Sequence, residues 1–316
     1  MNENEFLEKM RAIATHPGAR GLADDAALLT FGRHRMVFTH DMLVESVHFL
    51  SSAAPADVAW KLLAVNLSDL AAMGARPIGV LMGYSLGGDP EWDEKFANGL
   101  KDALERFGVP LLGGDTVALP AGTLRSLSMT AIGEAKGHLV PSRSGAEPGD
   151  FLYVSGPLGD GWAGLQIATE TIHPTDMLAR DRLLAAYNRP QPMLAAGRAL
   201  SSLVSAMMDI SDGLLIDADR IARASGLGIE ISLDRIPLSP EFEAVVGRDR
   251  AARMLAATAG DDYQLLFTAR TATVLPVPAT RIGRCVPGAG LRLHDGAEPV
   301  PLPDRLGYIH AQAKAS

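Results

Sequence analysis

The stretch 60–77, WKLLAVNLSDLAAMGARP, constrains this chain more than any other. It is rich in Ala, Leu and Met and free of proline until its end, which predicts a helix stopped by Gly74 ahead of Pro77. Leu62, Leu63, Val65, Leu67, Leu70 and Met73 make it apolar on nearly every side, so it belongs in a core. Asn66 and Asp69 break that surface at i, i+3 spacing and share one face. A buried carboxylate whose partner is missing costs about 3–5 kcal/mol. A metal ion, an arginine or a lysine has to meet Asp69.

Other acidic sites stand where elements begin or end. In GLADDAALL, residues 21–29, Asp24 and Asp25 sit between a glycine and an apolar run, and taken alone they read as a solvated turn. MVFTHD, residues 36–41, predicts a strand with Thr39 and Asp41 on one face at its end and His40 on the other. A hydroxyl beside a carboxylate suits a hard cation, whereas His40 and His48 lack the partners of a zinc site. VPLLGGDTV, residues 109–117, is a short strand running into Gly113 and Gly114, where a backbone can approach a ligand closely, with Asp115 at its end. DISDG supplies Asp209, Ser211 and Asp212 ahead of a helix that Gly226 ends. Ser211 or Asp212 alone would cap that helix, so metal binding and capping weigh equally there. Asp261 and Asp262 precede a strand over 263–268.

A chain of 316 residues suits two domains, and the Gly-, Pro- and Ser-rich segment 136–149, which carries Arg143, is the natural boundary. A net charge of −8 argues against a nucleic-acid surface or an anionic membrane as partner. The single Cys285 leaves no internal disulfide and points to a reducing compartment. MNENEFLEKM lacks an apolar signal region and no apolar run is long enough to span a bilayer, so a cytoplasmic protein is expected. Asp25, Asp41, Asp69, Asp115, Asp209 and Asp212 have few histidines and no cysteine beside them. Such all-oxygen ligation favours magnesium, manganese or calcium over zinc or copper. Several such ions beside carboxylates go with polyphosphate substrates. The residues alone reach a metal-dependent, phosphate-handling enzyme and stop there.

At these same residues the chain resembles the thiamine-monophosphate kinase family of the aminoimidazole-ribotide-synthetase-like superfamily. The resemblance rests on GLADDAALL, THDMLVESVHF, AVNLSDLAAMGA, LLGGDT, SRSGAEPGD, DISDGL and GDDYQL in the family's order, and it runs from about Gly21 to Tyr308. It implies an α+β, two-domain synthetase-like fold. Residues 1–137 would form a half-barrel sheet with helices that binds ATP and metal and pairs across a homodimer. Residues 149–316 would form an α/β sandwich that completes the phosphate and substrate site. The implied reaction turns ATP and thiamine monophosphate into ADP and thiamine diphosphate by direct in-line transfer.

Carried over by motif, Asp25, Thr39, Asp41, Asp69, Asp115, Asp209 and Asp212 would ligate several Mg²⁺ ions. Gly114, Asp115, Arg143 and Ser211 would contact ATP, and His48, Asp261 and Tyr308 the thiamine phosphate. Asp69, Asp212 and Arg143 would carry the catalysis. Three positions depart from the family pattern. His40 replaces a small hydroxyl residue and would offer a metal only its backbone carbonyl. Asp261 replaces a common Glu, and Gln264 a common acid. A sister ATP-dependent enzyme is the alternative, but selenophosphate synthetase needs a reactive residue near its amino terminus and the carbamoyl-handling hydrogenase maturation protein a carboxy-terminal cysteine. Cys285 fits neither. A non-catalytic nucleotide-binding regulator would have little reason to retain so many costly aspartates.

Overall fold

A computed structural model describes residues 3–120, 122–137 and 139–309. The first half runs α1 (Glu3–Ile13), a 3₁₀ turn (Pro17–Leu22), β1 (Ala27–Phe31), β2 (His34–Val44), α2 (Pro55–Ala72), β3 (Ala75–Leu86), α3 (Pro90–Phe107), β4 (Leu111–Ala118) and β5 (Ser126–Ala135). Its strands form one open sheet in the order β1-β2-β5-β3-β4. All neighbours are antiparallel except β3 and β4, which are parallel and joined through α3. The second half comprises β6 (Phe151–Val154), α4 (Asp160–Ala168), α5 (Met177–Asn188), α6 (Leu194–Leu200), β7 (Ala206–Asp209), α7 (Leu214–Ser225), β8 (Gly228–Ser232), α8 (Pro240–Val245), α9 (Arg250–Thr258), β9 (Leu265–Ala269), β10 (Thr280–Val286), β11 (Gly290–Asp295) and β12 (Glu298–Val300). Its sheet order is β12-β11-β8-β10-β6-β9-β7. Two sheets with helices, neither sheet closed into a barrel, make the α+β fold that the family resemblance implies.

Helix α2 is the pivot. Pro55 opens it at a position where a missing N–H costs nothing, and Gly74, just beyond it, takes the left-handed conformation (φ +62°) that lets β3 start at once. Leu62, Leu63, Leu67 and Leu70 pack against Val37 and Leu43 of β2 and Leu127 and Met129 of β5. Its last turn faces the other half: Ala71 and Ala72 join Leu200, Met207, Leu265 and Phe267. Gly197 of α6 is pressed so close that a Cβ there would lie 2.0 Å from the carbonyl oxygen of Ala71.

Two strands run further than their apolar residues predict. β2 pairs with β5 from Arg35 to Val44, so Thr39 and Asp41 lie within the strand and not at its end. One face of this ladder is open to solvent, and the backbone hydrogen bonds carry it through the polar residues. Likewise GGDT lies inside β4, paired with Leu81 to Tyr84 of β3, and every residue of β4 is exposed. A Cβ on Gly114 would sit 1.9 Å from the Met82 carbonyl oxygen, so only glycine fits against β3 there. An apolar groove of about 820 Å³ runs between α3 and this edge, lined by Tyr84, Phe96, Leu100, Leu104 and Leu111. None of the motif carboxylates lines it.

Candidate active site

Three carboxylates from distant parts of the chain meet. Asp25 comes from the turn before β1, Asp69 from the last turn of α2 and Asp209 from the end of β7. One oxygen of each lies within 4.8 Å of the others. The Thr39 hydroxyl, on the face of β2 turned to α2, donates to Asp69. Ser68 Oγ donates to Asp209 Oδ2 at 2.6 Å. Burial pushes the Asp69 carboxyl far above the usual carboxylate range, and Asp41, Asp209 and Asp25 push it the same way. Burial likewise raises Asp209, with Asp25 adding to it, and raises Asp25 against the opposing pull of Arg143. Asp41 is pushed up to about 6, chiefly by burial, with Asp25 and Asp212 contributing and His40 opposing.

The charges that raise Asp69 are carboxylates, and among the described residues no side-chain cation is paired with it. Asp25 Oδ2 is buried with no hydrogen-bond partner among the described residues. Converging carboxylates, a hydroxyl and an orphaned oxygen fit a hard divalent cation. Asn66, on the same helix face as Asp69, fixes the frame: its Oδ1 accepts the Asp41 backbone N–H (3.1 Å) while its Nδ2 donates to the Leu62 carbonyl (2.9 Å).

Asp24 and Asp25 do not form the solvated turn that their local sequence favours. Their side chains are 6% and 1% exposed. Asp24 accepts from Arg20 (2.8 Å), the Ser142 hydroxyl (2.8 Å) and the Arg143 backbone N–H (2.8 Å). Asp25 Oδ1 accepts from Arg143 Nε at 3.0 Å and Nη2 at 2.5 Å. The segment that buries both aspartates lies well over a hundred residues downstream, so no local pattern signals it. Arg143, in the segment read as the domain boundary, is held at the edge of the cluster, and Asp25 keeps it firmly protonated against the opposing effect of burial.

In the DISDG motif neither Ser211 nor Asp212 caps the helix that follows. Helix α7 starts at Leu214, and its N-cap is Gly213, which has no side chain to cap with. Asp217 instead accepts the backbone N–H groups of Asp212 and Gly213, just before the helix, at 3.3 and 3.2 Å. Burial lifts Asp217 to about 7. Asp212 instead receives Arg220 Nη2 at 2.6 Å, while Arg220 Nη1 holds Asp217 at 2.6 Å. The 259–264 segment is bonded onto the same motif: the Asp261 N–H donates to the Ser211 carbonyl and the Tyr263 N–H to that of Ile210, both at 2.8 Å. The Tyr308 N–H reaches the Asp212 carbonyl at 2.8 Å. Of the expected substrate contacts, Asp261 and Tyr308 are thereby brought to the cluster's carboxy-terminal side. His48 lies in the loop after β2, where its Nδ1 accepts the Val44 N–H (3.1 Å).

Two expected ligands face elsewhere. The His40 side chain is exposed and its Nδ1 lies 2.8 Å from Thr130 Oγ1, so only its backbone borders the cluster. The register Asp41–Met129–Met82–Gly114 puts Gly114 in the row of Asp41, three strands and about 14 Å away. Asp115 falls in the next row with Met42, Ser128 and Gly83, on the face turned away from α2. Within one chain it does not join Asp25, Asp69 and Asp209. Sequence reasoning missed Arg20, Lys61, Ser68, Asp217 and Arg220. Only Lys61 carried a signal, as a cation inside an apolar helix.

Residues 23–135 match the family model described as AIR synthase related protein, N-terminal domain, and residues 147–296 match the corresponding C-terminal domain. With the fold and the aspartate cluster, these matches place the chain in the AIR synthase related class. Within that class the chain is 38% identical over 303 residues to thiamine-monophosphate kinase of Escherichia coli K12, covering 92% of this chain and 91% of that one. It is 37% identical over 309 residues to thiamine-monophosphate kinase of Caulobacter vibrioides, covering 93% and 86%. The solved structure of AaThiL complexed with AMPPCP and TMP superposes with a TM-score of 0.86 at 30% identity, covering 98% of this chain and 97% of that one. The chain belongs to the thiamine-monophosphate kinase family.

Proposed function

We propose that this chain uses ATP to phosphorylate thiamine monophosphate, releasing ADP and thiamine diphosphate, with Mg²⁺ as the metal. The observation that carries this reading is the meeting of Asp25, Asp69 and Asp209 with Arg143 at their edge. An oxygen of the acceptor phosphate attacks the γ-phosphorus as the bond to the β–γ bridging oxygen breaks, and ADP departs. That phosphate is largely dianionic near neutral pH, its second pKa being about 6, so the step needs no general base. Positioning and charge neutralisation remain for the protein to supply. Asp25, Asp41, Asp69, Asp209 and Asp212, with the Thr39 hydroxyl and the His40 carbonyl, would hold Mg²⁺, which neutralises phosphate charge when bound. Arg143 would neutralise the transferred phosphoryl group from the cluster's edge. Gly114, Asp115 and Ser211 would contact ATP, and His48, Asp261 and Tyr308 the acceptor.

In this reading residues 1–137 bind nucleotide and metal, and residues 149–316 complete the phosphate and substrate site. Two copies associate across β4 and its open face, which would give Asp115 a place at the shared boundary. The exposed edge, the apolar groove beside it and exposed Leu111, Leu112 and Val117 support this. Among the described residues no helix is long and apolar enough to cross a membrane. The buried thiol of Cys285 suits a cytoplasmic setting. The test is to incubate the protein with ATP, Mg²⁺ and thiamine monophosphate and to separate the thiamine esters by chromatography. Thiamine diphosphate is expected in step with ADP. ATP cleavage without it, at any Mg²⁺ concentration, would overturn the assignment.

A further inference from the structure

Lys61 lies in the apolar body of α2, two turns before Asp69, and its side chain is 4% exposed. Its Nζ donates to Asp261 Oδ2 at 2.8 Å and stands 4.0 Å from the centroid of the Tyr187 ring on α5. The other oxygen of Asp261 accepts the Tyr263 hydroxyl at 2.9 Å. Both Asp261 and Tyr263 hold left-handed backbone conformations, φ +68° and +51°, which a side chain with a Cβ adopts only when its surroundings enforce it. The same two residues donate their N–H groups to Ser211 and Ile210. Lys61 thus joins the helix that carries Asp69 to the segment bonded onto Asp209–Asp212, through one buried ion pair.

We propose that Lys61 is a positioning residue for the acceptor: its ammonium locks Asp261, and with it the 259–264 segment, in the place where the acceptor's organic part is recognised. A carboxylate has about four lone-pair directions, and the ammonium and the phenol use two. With a third of the Asp261 side chain open to solvent, the remaining directions form a preset acceptor for an N–H donor of the substrate. The short Asp261 side chain reaches Lys61 directly, which leaves the carboxylate little freedom. The inference rests on the proposed reaction only for the identity of the acceptor. The lock itself is a contact between two halves of the chain.

The test compares wild type, Lys61→Met, Asp261→Asn and the double variant, titrating thiamine monophosphate and ATP separately. Hydrogen exchange at the Asp261 and Tyr263 amides is followed in the same proteins without substrate. In Lys61→Met, kcat/KM for the acceptor should fall on the order of a hundredfold, the effect of a misplacement of about 1 Å. That loss should appear in KM for the acceptor, while KM for ATP stays within about twofold of wild type. Adding Asp261→Asn to Lys61→Met should cost little more, and both amides should exchange faster. Additive losses would mean that Lys61 acts on the substrate without Asp261 and would overturn the proposal. So would KM values for ATP and acceptor that rise together, or amides that keep their protection. If wild type fails to phosphorylate thiamine monophosphate, the assigned reaction falls, and the exchange rates still decide whether Lys61 holds the segment.

Discussion

Ser68 Oγ donates a 2.6 Å hydrogen bond to Asp209 Oδ2, joining α2 to β7 across 141 residues of sequence. The serine precedes Asp69, so the two aspartates that face each other are held by adjacent residues of one helix. Replacing Ser68 by Ala removes a donor to a buried carboxylate, a bond worth about 1.5–3 kcal/mol. Asp209 then holds its proton more tightly. The expected outcome is a folded protein whose activity needs several-fold more Mg²⁺ for half-saturation, measured by titrating the metal at fixed pH.

Asp69→Asn should separate stability from turnover. The wild-type carboxylate is buried among Asp41, Asp209 and Asp25, so a neutral amide relieves repulsion when no metal is present. Turnover should fall about 10²–10³-fold, the loss typical of removing one electrostatic stabiliser. The melting temperature in chelator should hold or rise, and the stabilisation that Mg²⁺ gives the wild type should shrink. Calorimetry with and without Mg²⁺ checks this, and wild-type turnover in the variant would return Asp69 to a structural role.

The cluster makes metal-free stability fall as pH rises. Asp41 titrates at about 6 in the folded chain against 3.8 unfolded. Between those values the folded state holds a proton that the unfolded state has released, and raising pH removes that advantage. At about 1.4 kcal/mol per unit, this group alone accounts for roughly 3 kcal/mol. Asp25 is shifted the same way, and Asp69 and Asp209, pushed well above the usual carboxylate range, carry the loss higher in pH. Melting temperatures in chelator should therefore drop from pH 5 to pH 8, while added Mg²⁺ should restore more at pH 8 than at pH 5. A flat or rising profile in chelator would contradict the cluster's electrostatics.

Arg143→Lys should behave differently from a conservative exchange. The guanidinium grips Asp25 Oδ1 through Nε and Nη2 together, and an ammonium cannot reproduce that fork. kcat should fall about 10²–10³-fold. Circular dichroism should show an intact fold, because the Arg143 backbone N–H still donates to Asp24.

Association can be tested at β4. Val117→Glu adds a charge to an exposed edge strand without touching the core. Wild type is expected to sediment at twice the chain mass of 33.4 kDa and the variant at a value near one chain. Activity should fall with dissociation.

What could be read in advance depended on the range of the interaction. The α2 helix was legible because its propensity and its apolar surface are local, and observed bounds of Pro55–Ala72 place its start earlier only because Pro55 is a good first residue. The Asp89 cap and the left-handed Gly108 that stops α3 are local signals of the same kind. The turn assigned to Asp24 and Asp25 failed because Ser142 and Arg143 fold over it from the segment after β5. The capping option for Ser211 and Asp212 failed because the N-cap is Gly213, whose own N–H is accepted by Asp217 one helical turn further on. The direction of Asp115 depends on strand register, and a register is set by partners that a single strand does not contain.

The burial of α2 against both sheets governs how the molecule comes apart. Its amino-terminal turns complete the first sheet's core, while Ala71 and Ala72 lie among Met207, Leu265 and Phe267 of the second. Melting either sheet strips one side of an apolar helix and leaves it to water. The two halves should therefore lose structure in a single cooperative transition despite their separate sheets. A fragment cut near residue 137 should behave as an expanded, dye-binding globule rather than a small native protein.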